Sequence, residues 1–126
     1  MYKIVKIKYK SIMVHEGERE TVEINASGTI HDQEDKTKVY FENEGHLFEI
    51  IFDQNTLKLK QNESVLHFAL DEDIDNDYQT PYGTLSLQTS LERLTIKEDV
   101  VHIKYHLKQN DVLVSTVYMQ LFWMPL

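Results

Sequence analysis

The chain has 126 residues, 41% of them hydrophobic, and carries a net charge of −8 with no cysteine. That length and composition predict one folded domain over 1–126, burying roughly two-thirds of the surface its unfolded form exposes. Lack of cysteine excludes disulfides, thiolate metal sites and a cysteine nucleophile. The acidic balance, with only two arginines at Arg19 and Arg93, argues against a nucleic-acid partner.

Period-two alternation of apolar and polar residues dominates from the first residues onward, which predicts an all-β protein. Met1–Lys10 interleaves lysine with apolar residues, so it reads as neither a secretory signal nor a membrane span, and a cytoplasmic address is expected. Lys6, Lys8 and Lys10 share one face of this first strand and are expected on its solvated outer side. Further alternating runs follow near 20–30, 37–43, 46–53, 56–60, 64–70, 84–91, 93–97, 100–108 and 112–124. Reversals fall at Glu16-Gly17, Asn43-Glu44-Gly45, Asp53-Gln54-Asn55, Gln61-Asn62, Lys97-Glu98-Asp99 and Gln109-Asn110-Asp111, where glycine, asparagine and aspartate tolerate the backbone of a tight turn. The acidic run Asp71–Asp77 fails the calcium-loop template, with Asn76 and Tyr82 where glycine and glutamate are needed, and reads as an exposed connector. Ser86–Ile96 is ambiguous: Leu87, Leu91 and Leu94 have helical spacing and Thr89 with Glu92 could form a capping box, yet Leu85, Leu87, Thr89 and Leu91 alternate as in a strand.

Strands joined in sequence by tight turns predict a closed antiparallel up-and-down β-barrel of about eight to ten strands, since closure removes exposed edges. The expected inward set runs from Val5, Ile7 and Tyr9 through Val22, Ile24 and Ala26, Val39, Phe41, Phe48, Ile50 and Phe52. It continues with Leu57, Leu59, Leu66, Phe68, Leu70, Leu85, Leu87, Val101, Ile103, Tyr105, Leu107, Val117, Met119 and Leu121. Leu47–Phe52 and Val112–Met124 are apolar on both faces, which calls for cover by a homodimer partner or a flanking segment of the same chain.

The motif Tyr-x-Thr-Pro-Tyr-Gly at Tyr78–Gly83, the alternation Leu85-x-Leu87-x-Thr89 and Tyr105-x-Leu107 resemble the YwiB-type family of small bacterial cytoplasmic proteins. Val39-Tyr40-Phe41-Glu42 and Val65-Leu66-His67-Phe68 extend the likeness over most of the chain. The resemblance implies a calycin, or lipocalin-like, barrel and implies no activity or cofactor. Lys60-Gln61-Asn62 departs from the Arg-x-Gly expected before the phenylalanine strand.

Tyr78, Thr80, Tyr82 and Tyr105 are the candidate ligand-binding residues, because rings bearing hydroxyls at a barrel mouth can pack a ligand and orient its polar end. The alternative role for Tyr78–Gly83 is a turn that plugs the barrel end. Arg93 is a further candidate, as an inward guanidinium would hold a carboxylate, although it faces water if Leu94 and Ile96 point inward. His102 and His106 lie about 13 Å apart on a strand, too far to share one metal ion, so no metal site is expected. No phosphate loop or nucleophile elbow occurs, and the glycine-x-tryptophan motif of haem-binding relatives is missing near the N-terminus. Two functional readings follow. One is a barrel that binds a small hydrophobic or amphipathic molecule; the other is a filled barrel acting through a homodimer or protein partner. An enzyme would need Arg93, Tyr78 or Tyr105, and a carboxylate such as Glu42 to converge inside.

Overall fold

The computed structural model describes residues 2–126 and contains ten strands. They are β1 (Tyr2–His15), β2 (Glu18–Gln33), β3 (Lys36–Asn43), β4 (His46–Phe52), β5 (Thr56–Gln61), β6 (Ser64–Ala69), β7 (Asp73–Thr80), β8 (Gly83–Ile96), β9 (Val100–Gln109) and β10 (Val112–Pro125). Every strand pairs antiparallel with its neighbours in the order β6-β5-β4-β3-β2-β1-β10-β9-β8-β7, an up-and-down meander. Its first and last strands meet along a continuous ladder from Val5↔Pro125 to Val14↔Thr116. The hairpins β1–β2 and β9–β10 turn on Glu16-Gly17 and Asn110-Asp111 with positive φ at both positions, the geometry whose twist matches that of the flanking strands.

Along each strand alternate residues point inward, and the barrel's middle is solid. Phe41, Ile7, Leu91, Leu121, Val39, Val101 and Val117 are fully buried there. Phe41 and Phe48 stack with ring centroids 4.8 Å apart, and Tyr9 leans against both rings. Gly28 lets β2 approach this layer closely: a Cβ at that position would run into the carbonyl oxygen of Tyr40 and the side chain of Ile7.

Two expectations are corrected. Only Asp71 and Glu72 of the acidic run are an exposed connector; from Asp73 on it is a strand, β7, in which Asp73, Asp75 and Asp77 face water while Ile74, Asn76 and Tyr78 turn toward the interior. The segments 84–91 and 93–97 form one continuous strand without helix, β8, interrupted at Glu92 by a bulge between Leu91↔Tyr105 and Arg93↔Lys104. The extra residue shifts the alternation by one step, so Leu91 and Leu94 both pack against the core. The three-residue spacing that resembled a helix is the imprint of this bulge.

The ladder is interrupted between β6 and β7, which are consecutive in sequence. Side chains close this seam. Asn76, only 5% exposed, accepts a hydrogen bond from the His67 N–H at 2.7 Å and donates from its amide nitrogen to the His67 carbonyl at 3.2 Å. Its carboxamide thus offers β6 the donor and acceptor that a facing peptide group would offer. Thr89, reaching across from β8, donates to the same carbonyl at 2.6 Å, and the Ser64 hydroxyl donates to the Gln79 carbonyl at 2.6 Å.

Candidate functional site

Five hairpins, including those at Glu16-Gly17, Glu44-Gly45 and Asn110-Asp111, gather at one end of the barrel, and behind them the interior opens. The cavity there measures about 420 Å³. Its walls are apolar: Met13 and Val22 near the opening, Phe48, Ile50, Leu59 and Leu66 on one side, Leu87, Leu107 and Met119 on the other. Tyr9, Tyr78, Tyr105, Ser11 and Ser64 bring hydroxyls to it, and the exposed Lys60 and Gln61 stand at its rim. Inward alternation places them: Tyr9, Ser11 and Met13 are successive inward residues of β1, as Tyr105 and Leu107 are of β9.

Tyr105 is 6% exposed, and its ring packs obliquely on Phe68 with centroids 4.6 Å apart. Burial pushes its phenol well above the usual tyrosine range, and the neighbouring Tyr9 and Tyr78 push it further. Burial also raises Tyr9, with a hydrogen bond to Ser11 acting in the opposite sense. Both phenols therefore remain protonated donors at neutral pH.

Of the residues singled out from sequence, Tyr78 and Tyr105 line the cavity together. Thr80 and Tyr82 do not. Thr80 Oγ1 donates to the Gly83 carbonyl and accepts from the Tyr82 N–H, tying off the β7–β8 turn, and Tyr82 is fully exposed at its tip. Arg93 lies outside because the Glu92 bulge turns it to solvent, where it borders a shallow groove with Lys10, His102 and Lys104. Glu42 is exposed as well, so Arg93 and Glu42 do not converge with Tyr78 and Tyr105 inside the barrel. Tyr9, Ser11 and Ser64 add the other hydroxyls of the lining. The alternation put Tyr9 inside, but its place beside the other two phenols follows only from barrel closure.

A second hollow of about 760 Å³ lies at the opposite end, bordered by Lys97-Glu98-Asp99 and Met124–Leu126. Its border of charged loop and exposed chain leaves it open to water. On the outer wall Leu47 and Tyr118 remain 42% and 45% exposed, and among the described residues no flanking segment covers β4 or β10.

The outer wall also carries a polar cluster on β8 and β9. Glu92 bonds Lys104 at 2.8 Å and His106 at 3.0 Å, and the other ring nitrogen of His106 lies 2.9 Å from the Thr116 hydroxyl. Hydrogen bonds from Lys104 and then His106 hold the Glu92 carboxyl down at about 2. Because this value lies below that of the unfolded chain, the stabilisation is present above the ordinary glutamate range and fades as pH falls through about 2. Carboxyl NMR titration should find Glu92 ionised throughout the mildly acidic range. Lys104→Met should move its midpoint up toward 4.5, and an unmoved midpoint would show that the pair does not form.

A family model described as a domain of unknown function, DUF1934, matches residues 6–121. The chain belongs to the DUF1934 family. No curated protein matches it. The DUF1934 barrel is similar to the crystal structure of the ywiB protein from Bacillus subtilis, with a TM-score of 0.72 at 15% identity over 96% of this chain and 92% of that one. The YwiB likeness read from Tyr78–Leu107, Val39–Glu42 and Val65–Phe68 is matched by the whole architecture, and what is shared at this identity is the fold.

Proposed function

We propose that this DUF1934 barrel binds a small hydrophobic or amphipathic molecule in the cavity behind the hairpins. One observation carries the reading: the barrel is packed solid at its middle but leaves about 420 Å³ free beside apolar walls and phenol hydroxyls. That volume is within the span of small-molecule sites, about 300–1,000 Å³. The lining also has the usual chemistry of such sites, a mainly apolar surface with a few convergent polar groups. Aliphatic walls favour the ligand's body by removing it from water, and the hydroxyls give it an orientation. The lipocalin-like plan, in which a closed meander holds its ligand inside, is the architecture this reading assumes.

Titration with the neutral dye N-phenyl-1-naphthylamine tests it. We expect saturable fluorescence enhancement at one site per chain, lost in Leu87→Trp, which fills the cavity from β8, while the β-sheet circular dichroism is retained. A wild-type protein that takes up no dye, or a folded Leu87→Trp that binds it equally well, would overturn the assignment.

A further inference from the structure

Resting on that binding reading, we infer that the ligand carries an uncharged oxygen, a carbonyl or hydroxyl, at the end that meets Tyr105, and an apolar body toward the walls. The Tyr105 ring is buried and fixed against Phe68, yet its hydroxyl makes no hydrogen bond to another described residue. Nor is it sealed in, since no enclosed side-chain polar atom among the described residues lacks a partner. It opens on the cavity, where Tyr9 and Tyr78 stand near it. A donor held rigidly at the end of a buried ring gains from a ligand acceptor that replaces water, and a protonated phenol supplies that hydrogen bond to a neutral oxygen.

The sign of the charge follows from the lining. Lys60 is its one formally charged residue among those described, and it sits exposed at the rim. A carboxylate carried inward to Tyr105 would leave water without a cation to replace it, and an ammonium would find no carboxylate. A neutral carbonyl or alcohol meets neither penalty.

Four ten-carbon probes that differ in the head, decane, decan-1-ol, decan-2-one and decanoate, separate the possibilities in competition with N-phenyl-1-naphthylamine. Decan-2-one and decan-1-ol should compete more strongly than decanoate. Tyr105→Phe should weaken both oxygenated neutral probes by about 5–10-fold and leave decane unchanged, the loss expected for one hydrogen bond. Decanoate binding as tightly as the ketone would overturn the inference. So would a Tyr105→Phe variant that weakens decane and decan-2-one alike, which would make the residue a packing element. If neither the dye nor any probe binds the wild-type protein, the binding reading itself fails and this assignment falls with it.

Discussion

Phe41→Ala is expected to destabilise the barrel by about 3–5 kcal/mol, the range for removing a fully buried aromatic ring. Phe41 has no exposed surface, lies on a strand flanked on both sides, and stacks face to face on Phe48 with an interplanar angle of 8°. The facing residues belong to ladders held by backbone hydrogen bonds, so they can move only slightly into the space left behind. Equilibrium urea unfolding should show the loss as a lower midpoint with an unchanged slope. For a domain of this size the melting temperature should fall by about 10–20 °C. Phe41→Leu, which keeps much of the volume, should recover more than half of the loss. Since Phe48 borders the cavity, the void left by Phe41 should also deepen it, and the alanine variant should accept bulkier dyes than the wild type. Loss of less than 1 kcal/mol would mean that the middle of the barrel is not packed as described.

Asn76→Ala should cost about 2–4 kcal/mol, although it removes no large side chain, because an unsatisfied buried polar group costs about 1–3 kcal/mol and the amide serves more than one. The His67 N–H loses its acceptor outright, while the His67 carbonyl keeps Thr89. Hydrogen exchange distinguishes this from general loosening: the His67 amide and its neighbours on β6 should lose protection first, with β1, β9 and β10 little changed. Asn76→Asp probes the donor side, since a carboxylate can accept from the His67 N–H but cannot donate to the carbonyls of His67 and Ile74. It should destabilise at least as much as alanine. Unchanged stability and unchanged His67 protection in Asn76→Ala would show that the seam closes by other means.

The same asparagine explains why β7 escapes a reading from sequence. A strand is recognised by apolar residues at every second position, and here the middle inward position carries an amide while the outward positions carry three aspartates. Ile74 and Tyr78, four residues apart on either side of Asn76, are the remaining trace of its inner face. Elsewhere each strand keeps an apolar inner face, so the meander, its turns and most of the core can be read directly. The bulge at Glu92 is hidden for a different reason, as a one-residue insertion changes the phase of alternation and mimics another period. Tyr78 and Tyr105 stand out as ring-bearing hydroxyls on inward positions. Arg93 misleads because its direction depends on that phase, and Tyr82 because a turn tip places its aromatic ring in solvent. The convergence of Tyr9 with Tyr78 and Tyr105 joins β1, β7 and β9, and no local spacing encodes it.

The ladder between β1 and β10 bears on how the molecule comes to be assembled. During synthesis β1 is made before the other strands of the barrel and must wait for β10 before that side finds its partner. Until then the nascent sheet has a free border along Val5–Val14, a template on which other growing chains could add. Lys6, Lys8 and Lys10, spaced along that border, would discourage such additions through mutual repulsion between copies. Because the β1–β10 pairing joins the two strands most distant in the barrel's sequence, refolding should belong to the slow class, in milliseconds to seconds, in which distant contacts govern the rate.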